Sequence, residues 1–156
     1  MDCGQLTVDC FSWADTPNLQ RDRKIKMKRK TLLIQWQRLV DEKGKTCKRC
    51  QRTYEEIQKA YKKLKKALSF LSIDVIFEQK GIPQAKFAKD PSESNRIWIS
   101  AKPLEDWLSA EVGQSPCCDT CGDVECRTVE LDKKVYGYIP EYLIIKAGLI
   151  AASQIF

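Results

Sequence analysis

The sequence predicts an α/β fold in which a mixed sheet of four to five strands carries flanking helices. Two observations indicate this fold. Several short segments have the apolar pattern of strands, whereas two longer ones repeat their apolar residues at helical spacing. The first strand, helix and second strand also follow one another closely, which favours parallel pairing through a right-handed crossover. The chain has 156 residues, enough for one domain with its own core.

The N-terminal half supplies the predicted strand–helix–strand unit. Residues 31–40 hold a nearly continuous apolar run, as a central strand does. Residues 51–71 form the clearest helix, because apolar residues share one face and lysines crowd the others. Alternation predicts a second strand at 73–77, and an apolar run predicts a third at 96–100, with the glycine- and proline-containing stretch 81–91 as a loop.

The C-terminal half adds a cysteine-rich segment, a hairpin and a helix. Residues 113–125 are this cysteine-rich segment, and Cys126 follows it directly. The stretches 127–131 and 134–138 are predicted to form a hairpin. Pro140 suits the first turn of a helix, and Glu141 is favourable at its positive end. We therefore expect a cysteine-rich insertion before a C-terminal hairpin and helix.

The basic residues concentrate near the N-terminus. Seven of the ten residues 21–30 are basic. One interpretation is a nucleic-acid-binding arm. Aromatic residues do not interleave with this run, so we favour a solvated tail without nucleic-acid binding. Residues 1–30 are predicted to be a flexible extension, and residues 31–156 the folded domain.

The hydropathy pattern predicts a cytoplasmic protein without membrane contact. No apolar run reaches the roughly 18 residues that a membrane span needs. The N-terminus also lacks the continuous apolar region of a secretory signal.

Cysteine is the residue on which chemistry must rest. The chain contains eight cysteines and no histidine, which excludes histidine bases, Cys–His nucleophile pairs and imidazole metal ligands. It has no glycine-rich nucleotide loop, so a flavin or nicotinamide cofactor is not expected. In a chain without a signal sequence, clustered cysteines indicate metal binding or redox chemistry more often than structural disulfides.

The first candidate site is the catalytic pair Cys47 and Cys50, a Cys-x-x-Cys motif at the start of the long helix. The positive end of a helix favours thiolate, as do neighbouring basic side chains. We expect Cys47 to be the more exposed and to attack a disulfide, with Cys50 resolving the mixed disulfide. This predicts a thiol–disulfide oxidoreductase that uses a protein or small-molecule thiol or disulfide partner. A structural metal held by the pair is the alternative.

The second candidate site consists of the metal ligands Cys117, Cys118, Cys121 and Cys126. Four thiolates can close a tetrahedral site, so zinc is the candidate cofactor. Gly122 permits the tight turn that such a site needs. The adjacent Cys117 and Cys118 are not expected to ligate the same ion, because their side chains diverge.

The two cysteine groups can also act together. One arrangement places Cys47, Cys50, Cys118 and Cys121 on a single ion. The alternative function is therefore a protein that binds a soft metal such as zinc, without catalysis, through Cys47, Cys50 and the Cys117–Cys126 cluster. In another, the second group relays a disulfide to Cys47 and Cys50. A third makes the second group a structural clip, either a disulfide or a zinc, that ties its loop to the sheet.

Five short segments carry a family resemblance: residues 46–50, 94–97, 102–105, 117–121 and 139–141. In them the chain resembles an uncharacterised family of cysteine-rich, thioredoxin-like proteins of bacteria and archaea. The resemblance implies a thioredoxin-like fold from about residue 31 onward. Thioredoxins place a cis-proline just before the third strand, where this sequence has Ser94 and Asn95. The resemblance therefore implies a site more open to metal, or one in which Asn95 offers its amide to a substrate.

Overall fold

A four-stranded sheet forms the centre of the structure, a computed structural model that describes residues 29–117 and 121–155. Strand β1 (Lys30–Leu39) is followed by helix α1 (Lys48–Ser69) and strand β2 (Ile73–Ile82). The two strands pair in parallel along their whole length. The predicted strand–helix–strand unit with parallel strands is thus confirmed. Strand β2 runs five residues beyond the predicted end at Phe77, because pairing with the long β1 keeps even its exposed polar residues in the sheet.

The sheet is mixed, with the strand order β2-β1-β3-β4. Strand β3 (Arg96–Ile99) pairs antiparallel with β1, and the short β4 (Lys102–Pro103) pairs antiparallel with β3. The predicted loop 81–91 contains the short helix α2 (Gln84–Lys89), and a 3₁₀ turn (Pro91–Glu93) leads from it towards β3. This connection brings Ser94 and Asn95 to the start of β3.

A second sheet, separate from the first, contains the predicted hairpin. Helix α3 (Leu104–Leu108) leads into β5 (Glu111–Pro116), which pairs antiparallel with β6 (Glu125–Leu131), and β6 pairs with β7 (Lys134–Tyr136). The predicted mixed sheet of four to five strands is thus confirmed as the four-stranded sheet, and the hairpin belongs to a separate three-stranded sheet. Strand β5 was not predicted, because its largely exposed residues lack apolar alternation.

The predicted C-terminal helix is confirmed as α4 (Glu141–Ser153), with Pro140 at its N-cap instead of in its first turn. It packs on α1, and Gly148 makes this packing close, since a Cβ there would lie 2.7 Å from Leu64 Cδ1. Both helices contribute buried apolar residues to one core with β1, in which Trp36 is only 1% exposed.

The predicted N-terminal extension falls mostly outside the described residues, which include only Arg29 and Lys30 of it. Lys30 already begins β1, and Arg29 forms an exposed ion pair with Asp74 at 3.1 Å. Within residues 29–117 and 121–155, no helix has the length and apolar character needed to cross a membrane.

Candidate functional site

Cys47 occupies the N-cap of α1. Its Sγ accepts a hydrogen bond from the backbone N–H of Cys50 at 3.5 Å, the role that a serine or aspartate oxygen usually plays at this position. No acidic residue lies in the first turn. The sulfur of Cys47 therefore faces the partial positive charge of the helix end, which stabilises a thiolate.

Cys50 lies one turn further on, between Cys47 and Ser94. Its Sγ is 3.8 Å from Ser94 Oγ, and this hydroxyl oxygen accepts a hydrogen bond from the backbone N–H of Leu39 at 2.9 Å. The Ser94 hydrogen can thus be donated to the Cys50 sulfur. The hydrogen bond with Cys47, followed by burial, raises the pKa of Cys50 well above its usual range. Cys50 is therefore held as a neutral thiol beside Cys47.

Both cysteines of the pair are buried, each only 3% exposed. The prediction that Cys47 is the more exposed is therefore wrong. The physical reason is that Cys117 and Cys121, from the cysteine-rich segment, lie against the start of α1. The Sγ atoms of Cys47, Cys117 and Cys121 all lie within 4.8 Å of one another, so the two predicted sites meet at Cys47.

The remaining described cysteine of the second group, Cys126, lies on β6 and is also buried. Its thiol is in hydrogen-bonding contact with Cys117 and Cys121, and burial raises its pKa to about 12. Burial also raises the pKa of Cys121, with a further contribution from its hydrogen bond with Cys117. Cys118 lies outside the described residues. Cys117 is the least buried of these thiols.

Arg49 holds the second sheet against the start of α1. Its guanidinium donates hydrogen bonds to the backbone oxygen of Gly137, to Ser115 Oγ at 2.7 Å and to the backbone oxygen of Pro116 at 3.4 Å. A Cβ at position 137 would lie 2.7 Å from Arg49 Nη2, so the close approach requires glycine. These contacts hold the end of β5, which leads to Cys117, beside the helix N-terminus.

Asn95 lies just before β3 with a left-handed backbone (φ +56°). Its Oδ1 accepts a hydrogen bond from Trp36 Nε1, and its Nδ2 donates one to the Gly137 oxygen, both at 3.3 Å. The amide is buried and bonded to protein at both ends. It therefore tightens the junction of the two sheets, and in this arrangement it does not face a substrate.

The comparisons with known proteins place this arrangement in a family. The model of a domain of unknown function, DUF2703, matches residues 32–148, from β1 to α4. The chain belongs to this family. An uncharacterised protein of Archaeoglobus fulgidus is 42% identical over 119 residues, which cover 76% of this chain and 82% of that protein. No solved structure matches. The DUF2703 match covers both cysteine groups, so the predicted resemblance to an uncharacterised family with archaeal members is confirmed to that extent.

In this DUF2703 domain the second cysteine group borders a surface groove of about 490 Å³. Its lining is Pro116, Cys117, Gly122, Asp123, Val124 and Glu125. Cys117 thus contacts both the groove and the buried sulfurs of Cys47 and Cys121. Cys117 is therefore the described cysteine that faces the groove.

The sequence did not predict that two residues, Arg49 and Gly137, hold the DUF2703 site together. Arg49 is one of the basic side chains next to Cys47 that are predicted to favour thiolate, and the structure shows that it also docks the second sheet. Gly137 gave no signal, because its partner lies 88 residues away in the chain. The buried pair of Arg127 on β6 and Glu105 on α3 was missed as well; a charged residue within a strand pattern was the only available sign.

Proposed function

We propose that this protein carries out thiol–disulfide exchange, with Cys117 receiving the partner disulfide and the Cys47–Cys50 pair receiving the oxidation. The main supporting observation is that the Sγ atoms of Cys47, Cys117 and Cys121 lie within 4.8 Å of one another. Cys117 is half-buried beside a groove, and Cys47 is buried next to Cys50. A chain of neighbouring thiols from the surface to a buried pair is what a disulfide relay requires.

The sheet supports a thioredoxin-like assignment for this function. The Cys-x-x-Cys pair opens the helix that joins the parallel strands β1 and β2, which is the setting of a thioredoxin-like redox motif. Ser94 precedes β3 at the place where thioredoxins carry their proline, and its hydroxyl contacts Cys50. A hydroxyl there can stabilise charge that develops on the Cys50 sulfur.

The proposed exchange runs in three steps. The Cys117 thiolate attacks one sulfur of the partner disulfide, which releases one partner thiolate and forms a mixed disulfide. The Cys47 thiolate then attacks the Cys117 sulfur, which releases the second partner thiolate. Finally Cys50 gives up its proton and attacks Cys47, which frees the Cys117 thiolate to take that proton. One partner disulfide gains two electrons, and a Cys47–Cys50 disulfide forms. An external dithiol or small thiol must reduce this disulfide again.

The properties of Cys50 fit the last step. Its pKa is raised first by its hydrogen bond with Cys47 and also by the charge there. Once Cys47 is part of a disulfide it carries no charge, so its contribution to the raised pKa of Cys50 disappears and burial alone continues to raise it. Cys50 therefore ionises more readily once the disulfide has reached Cys47.

Reduction of a small aromatic disulfide by the full chain, with excess dithiol as electron donor and a chelator present, tests this proposal. Turnover should fall at least about tenfold in Cys117→Ser, and Cys50→Ser should accumulate a Cys47–Cys117 disulfide that peptide mass spectrometry detects. Ser69→Ala, an exposed position at the opposite end of α1, is the control and should keep wild-type turnover.

Two outcomes would count against the proposal. Wild-type turnover in Cys117→Ser, combined with loss of turnover in Cys47→Ser, would mean that Cys47 attacks the partner directly and that there is no relay. Equal turnover in wild type and Cys47→Ser would remove thiol–disulfide exchange by this pair altogether.

A further inference from the structure

We propose that Cys47, Cys117, Cys121 and Cys126 form a thiolate site for one soft divalent metal ion such as zinc or cadmium. This ligand set differs from those predicted from the sequence, because it takes Cys47 from the helix pair and leaves Cys50 out. The proposal does not depend on the exchange chemistry.

The distances suit a tetrahedral thiolate site. Zinc–sulfur bonds of about 2.3 Å place tetrahedral sulfurs about 3.8 Å apart. The sulfurs of Cys47, Cys117 and Cys121 already lie within 4.8 Å of one another, so each pair needs to close by about 1 Å at most. Cys126 lies outside this group of three but contacts Cys117 and Cys121, so a small shift of its side chain would supply the fourth ligand.

The chemistry of the cluster selects soft metals. Within the described residues, the close group contains sulfur donors without a carboxylate, and thiolates favour zinc and cadmium over magnesium or calcium. Cys47, Cys121 and Cys126 are each at most 4% exposed, so water competes poorly for the ion. Gly122, with φ +73°, makes the turn directly after Cys121.

Cys50 lies outside this group. Its Sγ contacts Cys47 and the hydroxyls of Ser94 and Thr46, whereas the Cys126 thiol contacts Cys117 and Cys121. Cys47 thus belongs both to the metal site and to the Cys-x-x-Cys pair. A Cys47–Cys50 disulfide removes one metal ligand, and a bound ion removes the Cys47 thiolate from exchange. Metal binding and oxidation of the pair therefore exclude each other.

Titration of the reduced, metal-free full chain with Co²⁺, followed by competition with Zn²⁺, tests the proposal. We expect one Co²⁺ per chain, with thiolate-to-metal charge-transfer absorption and the visible bands of a tetrahedral site. Cys47→Ser and Cys121→Ser should each weaken zinc binding at least about 100-fold, because loss of a ligand costs no less than loss of an outer-shell partner. Cys50→Ser, one helical turn away, is the matched control and should bind zinc as wild type does.

Three results would overturn the proposal: no stoichiometric Co²⁺ binding by the wild type, wild-type zinc affinity in Cys47→Ser, or a loss in Cys50→Ser as large as in Cys47→Ser. Circular dichroism of each variant checks that it is folded, and the wild-type titration decides independently of the variants. Because the exchange assay runs with a chelator, failure of the metal site leaves that assay intact, and failure of exchange leaves the titration intact.

Discussion

Replacing Arg49 with alanine is expected to release the cysteine-rich segment from the start of α1. The guanidinium donates hydrogen bonds to the backbone oxygens of Gly137 and Pro116 and to Ser115 Oγ. These bonds hold the end of β5 and the turn after β7 beside the helix that begins after Cys47. Without them Cys47 should be reached by solvent and reagents far more often.

The size of the effect follows from these contacts. A hydrogen bond from a charged donor contributes about 1.5–3 kcal/mol. The bond to Pro116 is long at 3.4 Å and the Arg49 side chain is half-buried, so we count two bonds at the lower end, about 3 kcal/mol in total. Since each 1.4 kcal/mol is about a tenfold change, the open population should rise about 100-fold.

Alkylation of Cys47 by iodoacetamide measures this opening, with peptide mass spectrometry to identify the modified residue. In the wild type the buried thiol should react slowly, and in Arg49→Ala about 100-fold faster. Lys48→Ala is the matched control, because it removes a positive charge from the same helical turn while its exposed side chain makes none of these hydrogen bonds. Arg49→Lys keeps the charge but loses the planar fork, so it should also react faster than wild type.

An unchanged alkylation rate in Arg49→Ala would refute the reasoning, since other contacts would then hold the segment. Equal acceleration in Lys48→Ala would assign the effect to charge instead of docking. Gly137→Ala offers an independent check: its Cβ would lie 2.7 Å from Arg49 Nη2 and should displace the guanidinium, which makes Cys47 react faster although Arg49 is retained.

Two further predictions concern the packing that supports the site. Glu105→Ala leaves the buried charge of Arg127 without its partner and should lower the free energy of unfolding by about 3–5 kcal/mol in urea denaturation. The double variant Glu105→Leu with Arg127→Met should recover most of this loss. Equal stability of the single and double variants would contradict the prediction. Hydrogen bonds from Gln37 and then from Arg96 hold the pKa of Glu93 below its usual range, so this carboxylate stabilises the fold above about pH 4.5 and the stabilisation is lost as the pH falls through the lowered pKa. Urea midpoints of wild type and Glu93→Gln should therefore differ at pH 7 and converge in acid, and a difference independent of pH would contradict the assignment.

The strand–helix–strand unit was predictable because its signals are local. The apolar run of β1 and the periodicity of α1 lie within their own elements, and the short connection between the strands favours parallel pairing. The helix begins three residues before the predicted Gln51, since its cap is the sulfur of Cys47, which is not a common capping residue.

The second sheet and the burial of the site were not predictable in this way. Strand β5 has the sequence EVGQSP. Its strand conformation depends on pairing with β6 and not on any apolar pattern of its own. The exposure of Cys47 depends on Cys117 and Cys121, which lie about seventy residues further along the chain. Such distant contacts arise from packing, and no local periodicity reports them.

The hydrogen bonds of the Gly137 carbonyl oxygen offer a way to follow the protein by tryptophan fluorescence. This oxygen accepts hydrogen bonds from Arg49 and from Asn95, and the other end of the Asn95 amide accepts one from the indole of Trp36. A change in the turn that carries Gly137 is thus passed through one amide to a buried chromophore. In a variant that keeps Trp36 as its single tryptophan, the emission spectrum becomes an optical record of the junction between the two sheets. It could be followed in real time while an oxidant, a thiol or a metal ion is mixed in.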